Sequence, residues 1–171
     1  KILLSIIIPY HQKKKFFHST IKSIYSQTFK NYEVILIYDD NDYGEINFVK
    51  NQLKKIKNRK LIINKKILGP GLSRNIGIKY AKGKLIAFCD ADDTWHKKKL
   101  SEQIKFMAKN NLKFSHTSYN IINYNGKKSG QFKIKEKLNY SDLLKSCDIG
   151  LSTVIVEKKI LNTSKFCNLK T

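Results

Sequence analysis

The residues best placed to do chemistry are Asp90-Ala91-Asp92-Asp93, an acidic cluster standing where the apolar run Leu85-Ile86-Ala87-Phe88-Cys89 stops. Carboxylates two residues apart at the end of a buried strand project together into a crevice, one toward a divalent cation and one toward the ligand that the cation holds. The surrounding chain is strongly basic, with 34 Lys and Arg against 13 Asp and Glu and a formal net charge of +21. An acidic pocket in so basic a protein points to metal plus phosphate. Two other polar groups follow apolar runs in the same way, Pro9-Tyr10-His11 and Asp39-Asp40-Asn41. In an open α/β sheet, ligands bind beyond the carboxyl ends of the strands, so one crevice can collect all three groups. A carboxylate at Asp39 or Asp40 can accept from a base N–H or a ribose hydroxyl, while Asp90 and Asp92 can address ribose and a metal-bridged diphosphate. Mg²⁺ and Mn²⁺ keep phosphate and water in their shell, so one or two protein carboxylates suffice. The structural alternatives are an ordinary post-strand turn at Asp39-Asp40 and a helix cap at Asp93 or Thr94.

The segment Gly69-Pro70-Gly71-Leu72-Ser73-Arg74-Asn75 is a partial match to a dinucleotide phosphate loop. Arg74 stands where the third glycine of that motif allows close helix packing, and the loop lies in the third βα unit instead of the first. Arg74 is better used as a donor to a nucleotide; the alternative is a helix-surface arginine. His11, His18, His96 and His116 show no metal-ligand spacing, and only His11 has a strand-end position. The lysine groups at 13–15, 54–55, 65–66 and 97–99 lack interleaved aromatics, which argues against a nucleic-acid groove. Trp95 fits either the core or a pocket wall.

These groups need a scaffold, and the pattern supplies one. Short β-rich apolar runs alternate with amphipathic stretches, the signature of βαβ units around a mainly parallel sheet. Predicted strands run over Leu3 to Ile8, Glu33 to Tyr38, Leu61 to Asn64 and Leu85 to Cys89. Predicted helices run over Phe16 to Ser26, Glu45 to Ile56, Leu72 to Ala81 and Lys97 to Lys109. Beyond these, Phe114 to Tyr124 reads as a strand turning at Asn125-Gly126 toward Phe132 to Ile134. Ser141 to Ser146 reads as a helix and Ser152 to Val156 as a last strand.

At 171 residues and 41% hydrophobic content the chain can bury one core. Only Arg59 and Arg74 are arginine; lysine is a hydrated point charge, so most of the charge reads as solvated surface able to attract anions or an anionic membrane face. Cys89, Cys147 and Cys167 share no metal or disulfide spacing, which fits a reducing cytosol. The opening apolar run is too short and lacks the cleavage site of a signal peptide, and no stretch is long enough to span a bilayer. The absence of an initial methionine and the form of the last residues suggest a piece of something larger.

Ordered motifs run through the first hundred residues: Ser5-Ile6-Ile7-Ile8-Pro9-Tyr10, Ser26-Gln27-Thr28-Phe29, Tyr32-Glu33-Val34, Asp39-Asp40-Asn41, Ser73-Arg74-Asn75-Ile76-Gly77, Ala81-Lys82-Gly83 and Phe88-Cys89-Asp90-Ala91-Asp92-Asp93. Together they resemble the family 2 glycosyltransferases of GT-A fold, bacterial enzymes that build polysaccharides from nucleotide sugars. The resemblance implies an α/β GT-A fold, Rossmann-like, with a mainly parallel sheet flanked by helices. It is expected as a single nucleotide-binding domain over 1–171, truncated at the C-terminus, with the nucleotide-sugar and metal part in 1–96 and the start of the acceptor part in 97–171. It implies that Pro9, Tyr10 and Asp40 contact base and ribose, Arg74 the nucleotide, Asp90 the ribose and Asp92 the metal, with Asp90-Ala91-Asp92 as the DXD motif. Together with the strand-end reading, the expected donor site is Pro9, Tyr10, His11, Asp39, Asp40, Arg74, Asp90, Ala91 and Asp92, with Asp92 and Asp90 at Mn²⁺ or Mg²⁺.

The implied reaction is transfer with inversion from a nucleotide diphosphate sugar, UDP-linked by family habit, to a glycan or lipid-linked glycan acceptor in lipopolysaccharide or capsule synthesis. The implied setting is cytoplasmic, peripheral at the inner face of the membrane. Lys97 replaces a proline common in the family. The family's Glu-Asp pair, which carries the catalytic base, is not reached, and Asp142, Asp148 and Glu157 do not sit in that motif, so no general base is assigned. Without that base, the expectation is donor binding with little or no turnover. The competing readings are a lysine-rich nucleic-acid or membrane-binding module with a structural acidic cluster, and a dinucleotide-dependent oxidoreductase.

Overall fold

The structure, a computed structural model, describes residues 2–145 and 149–167. The strands β1 (Leu4–Tyr10), β2 (Tyr32–Tyr38), β3 (Arg59–Ile63) and β4 (Leu85–Phe88) are mutually parallel. With β5 (Phe114–Ser115) and β8 (Ile155–Glu157) they form a central six-stranded sheet in the order β3-β2-β1-β4-β8-β5. The expected last strand is shorter than its apolar run: a 3₁₀ turn occupies Leu151–Thr153, and β8 (Ile155–Glu157) then pairs antiparallel with β4 and with β5 (Phe114–Ser115). The single long strand expected over 114–124 is broken. Its second half is β6 (Tyr119–Ile122), which leaves the sheet and pairs with β7 (Lys128–Phe132) through a turn where Gly126 takes φ 74.

The parallel strands are apolar without alternation because both faces are covered. Ile6, Ile8, Val34 and Leu36 point to one face, where α1 (Lys14–Tyr25), α2 (Ile46–Leu53) and α4 (Lys99–Lys109) pack through Phe17, Ile21, Val49, Leu53, Leu100 and Met107. Ile7, Ile35 and Ile37 point to the other face, beneath Ile78 of α3 (Pro70–Tyr80) and beside Phe88, Val154 and Val156. The helix expected from Glu45 to Ile56 is shorter, led by a 3₁₀ turn at Tyr43–Glu45. A final short helix, α5 (Tyr140–Lys145), matches the expected one except for Ser146, which lies outside the described residues, as do Cys147 and Asp148. Among the described residues, no helix is long and apolar enough to cross a membrane, and Cys89 and Cys167 are free thiols.

Polar groups tie the elements where the strands start. The buried Glu33 carboxylate accepts from the Ser5 hydroxyl and the Lys82 amide, both at 2.7 Å, and Ser5 Oγ accepts from the Gly83 amide at 2.9 Å. Three of the motifs noted above therefore meet in one knot, at the end of the sheet away from the acidic cluster. The close approach of helix to sheet falls at Gly77: a Cβ there would lie 2.5 Å from Ile7 Cγ2 and 3.0 Å from Ile37 Cδ1. Gly77→Ala is expected to destabilise the fold by about 1–3 kcal/mol through overpacking, measured by chemical denaturation; an unchanged midpoint would show that α3 can move off the sheet freely.

Candidate active site

The ladder β2-β1-β4 places the ends of its strands side by side. Asp39 N donates to Tyr10 O at 2.9 Å and Cys89 N to Ile7 O at 3.1 Å, extending the pairing to the polar segments that follow. Pro9, Tyr10, His11, Lys13, Asp39, Arg74, Asp90, Ala91 and Asp92 line one cavity of about 950 Å³, walled also by the segment from Lys66 to Pro70. Of the residues expected at the donor site, Asp40 alone does not line it.

The two adjacent aspartates have different tasks. Asp39 is 2% exposed, and its carboxylate accepts from Asn64 Nδ2 (2.7 Å), Leu68 N (2.9 Å) and Gly69 N (2.7 Å). It fastens the cavity wall to the end of β2. Asp40 accepts from Gln12 N and Asp42 N, each at 3.0 Å. It pins the turn in which Gln12 takes φ 48, a left-handed conformation that a non-glycine residue adopts only when held. His11 Nδ1 lies 2.8 Å from the Asp39 carbonyl; a carbonyl only accepts, so Nδ1 carries the proton. The Tyr10 ring is fully buried against Phe17 and Tyr38, with its hydroxyl donating to Glu45. That burial raises the phenol's pKa, and only the Tyr10 main chain is left to meet a ligand.

Arg74 projects from α3 to Asp90, with Nη2 2.6 Å from Oδ1, and its Nε is buried without a hydrogen-bond partner among the described residues. Its neighbour Asn75 clamps residue 166 with two hydrogen bonds, of 2.9 and 3.0 Å. Two amides of the Gly69 loop, those of Leu68 and Gly69, already serve Asp39 and are withdrawn from any phosphate, against the dinucleotide reading.

The loop carrying the acids is held from beneath. Thr20 Oγ1 donates to Ala91 O (2.9 Å), Gln27 Nε2 to His96 O (2.9 Å), and Leu100 N donates to Gln27 Oε1 (3.1 Å). Ser152 Oγ accepts from Asp90 N (2.9 Å), and Trp95 Nε1 donates to Ser152 O (2.9 Å). Asp93 and Thr94 cap no helix, since α4 starts at Lys99. Desolvation raises the Asp93 carboxyl, with Asp90 and Asp92 adding to the effect and the Ser152 hydroxyl opposing it.

Lys13 is the residue that sequence reasoning passed over as surface charge. Its Nζ lies 2.7 Å from Asp92 Oδ2, which raises the lysine's pKa. The available signal was its place in the turn just after the first strand end. Asp90 and Asp92 are hard oxygen donors of the kind Mg²⁺ or Mn²⁺ prefers, and Lys13 shows that a cation fits at Asp92. No group of three or more His, Cys, Asp or Glu suited to a metal occurs among the described residues, so an ion here would draw further ligands from phosphate and water.

A second cavity of about 950 Å³ adjoins the first at Asp90. It is lined by Trp95, Lys99, Phe106, His116, Tyr119 and Ser152, among others. Trp95 thus serves as both core and pocket wall. Lys99 bonds Gln103 Oε1 (2.7 Å) and Thr153 O (3.3 Å), and desolvation lowers its pKa to about 8. Burial also lowers His116.

A family model described as "Glycosyl transferase family 2" matches residues 5–166. The chain is 37% identical over 165 residues to an Escherichia coli UDP-Glc:alpha-D-GlcNAc-diphosphoundecaprenol beta-1,3-glucosyltransferase, WfgD, covering 96% of this chain and 64% of that protein. It is 30% identical over 173 residues to the putative teichuronic acid biosynthesis glycosyltransferase TuaG of Bacillus subtilis, covering 100% of this chain and 68% of that one. Among solved structures, S. aureus TarS with UDP superposes at TM-score 0.79 and 24% identity, over 98% of this chain and 51% of that one. The mannosyltransferase PcManGT of Pyrobaculum calidifontis, with GDP-Man and Mn²⁺, superposes at TM-score 0.72 and 13% identity, over 96% of this chain and 47% of that one.

These likenesses define a GT-A fold. The chain belongs to glycosyl transferase family 2. It spans only part of the length of its relatives, 64% of WfgD and 25% of a Rickettsia conorii glycosyltransferase.

Two outcomes follow from this geometry. Lys13→Gln is expected to tighten Mn²⁺ binding without nucleotide by up to about fivefold, since a half-exposed ion pair is worth at most ~1 kcal/mol; paramagnetic titration checks this, and weaker binding would show that Lys13 does not compete for Asp92. Lys99, with its folded pKa near 8 against 10.5, binds fewer protons folded than unfolded in that window. Its contribution therefore makes stability rise with pH from about 8 to 10.5. Lys99→Met is expected to flatten that rise relative to the parent chain in denaturation profiles.

Proposed function

We propose that this chain is the donor-binding part of a metal-assisted glycosyltransferase that moves a hexose, with inversion, from a UDP-linked sugar to a lipid-linked glycan of a cell-surface polysaccharide. The carrying observation is the convergence of Asp90, Asp92, Arg74 and Lys13 on the cavity that also exposes the ends of β1 and β2. Here Asp39 shapes the wall for the base, the main chain at Pro9 and Tyr10 borders it, and His11 stands at its edge with Nδ1 fixed on the Asp39 carbonyl. Asp40 keeps the β1–α1 turn in place. Asp90 addresses the ribose and Arg74 the diphosphate; Asp92, with Asp90, would hold Mn²⁺ or Mg²⁺. Such an ion supplies Lewis-acid stabilisation to the leaving diphosphate. Lys13, released from Asp92, adds a second positive charge beside the same oxygens.

The division of labour follows the two cavities: 1–96 bind donor and metal, and 97–171 begin the acceptor side, with Trp95, Lys99 and Tyr119 around the second cavity. Family membership and the named activities of relatives such as WfgD and TuaG support the sugar-transfer class. UDP in TarS and Mn²⁺ in PcManGT support the donor and ion assignments.

Calorimetric titration of UDP, GDP and dTDP with and without Mn²⁺ tests the reading. Manganese-dependent binding of UDP is expected, and Asp92→Asn is expected to weaken it by more than the roughly tenfold that changes outside a metal's own ligands cost. Metal-independent binding that Asp92→Asn leaves intact would overturn the metal assignment.

A further inference from the structure

Among the described residues, the β6–β7 hairpin stands outside the central sheet and pairs only with itself. Ile121 and Ile122 are each 50% exposed and Tyr124, at the turn, 82%. Large apolar side chains so exposed, on an element that pairs with no strand of the central sheet among the described residues, mark a surface that an apolar partner would cover. The charge around it has one sign. Between Glu102 and Glu136 the chain has no acidic residue, while lysines stand at 127, 128, 133 and 135. Among the described residues, Lys135 alone of these four meets a carboxylate, that of Asp142 at 3.0 Å.

The hairpin tip also rests on the start of α1. The Tyr124 ring lies 6.1 Å from that of Phe16, and Lys15 Nζ stands 5.0 Å from the Tyr124 centroid and 5.6 Å from that of Phe16. Lys15 thereby adds to the charge that Lys127 and Lys128 of the hairpin itself bring to the apolar tip.

We propose that this surface docks the protein on an anionic phospholipid bilayer, with Ile121, Ile122 and Tyr124 entering the headgroup boundary and the lysines meeting lipid phosphates. Aliphatic tips ringed by lysine suit that interface, where apolar burial and attraction to anionic lipid add. A nucleic-acid strand would reward stacking aromatics and arginine, and here two of the three exposed apolar side chains are isoleucine. A second copy is disfavoured by charge, since each chain carries +21. Because Ile122 and Tyr119 line the second cavity, docking would turn that cavity's mouth toward the bilayer. The inference needs no donor, metal or transfer, so it stands or falls apart from the proposed reaction.

The test uses the chain with vesicles of phosphatidylcholine, with or without phosphatidylglycerol. Tyr124→Trp provides a reporter at the tip, distinguishable from the buried Trp95. Its emission is expected to shift to the blue with phosphatidylglycerol vesicles, and not with phosphatidylcholine alone or with single-stranded RNA. Lys127→Gln with Lys128→Gln is expected to weaken vesicle partition by roughly an order of magnitude. The charge-matched pair Lys54→Gln with Lys55→Gln, on the end of α2, is expected to cost far less. Circular dichroism confirms that each variant is folded. No blue shift on anionic vesicles, an equal shift with RNA, or equal losses from the two lysine pairs would overturn the docking surface. UDP binding by the same variants, measured separately, bears only on the proposed reaction.

Discussion

The parallel ladder joining β2, β1 and β4 is the constraint on which the site depends. With Tyr10 opposite Tyr38 and Ile7 opposite Phe88, the segments after the three strands leave the sheet at neighbouring points. Both faces of these strands are sealed by apolar side chains, so no polar group can be presented from the sheet's interior without a large desolvation cost. Polar chemistry is confined to the strand ends. The same burial makes the scaffold rigid enough to hold carboxylates and cations within bonding distance of one another.

Around that ladder, buried polar side chains are spent on loops. Asp39 uses both oxygens on the segment from Asn64 to Gly69, Asp40 holds the Gln12 turn, and Gln27 bridges His96 and Leu100. Each satisfies main-chain groups that would otherwise be stranded where the chain turns beneath the surface. The knot of Ser5, Glu33, Lys82 and Gly83 does the same at the opposite end of the sheet. Residues that make a family legible thus divide into those bordering the cavity, those fixing its walls and those tying the far end of the sheet. Asp39 belongs to the first two groups.

Charge is organised on two scales. Across the molecule, lysine gives a broad positive field that favours anionic partners and screens poorly only at close range. Within the cavity, Asp90 and Asp92 are each already matched by a cation, Arg74 and Lys13, on separate elements. These pairs offset the self-repulsion of the acidic cluster.

Much of this was legible in the chain itself. Continuous apolar runs bounded by polar strand ends determined the parallel core, and spacing determined the helices that cover it, because burial on two faces and a 3.6-residue period leave direct marks on composition. The order of motifs determined the family. What only the tertiary structure decided was the use of each polar group. Two adjacent aspartates look alike in sequence, yet one lines the cavity and the other pins a turn. Lys13 looked like any of the surface lysines until the turn between β1 and α1 brought it to Asp92, some 79 positions away along the chain. The run from Phe114 to Tyr124 looked like one strand, but β8 takes only its first part, and the rest pairs locally as a hairpin. In each case the deciding contact joins segments remote in sequence, and local pattern carries no record of such distances.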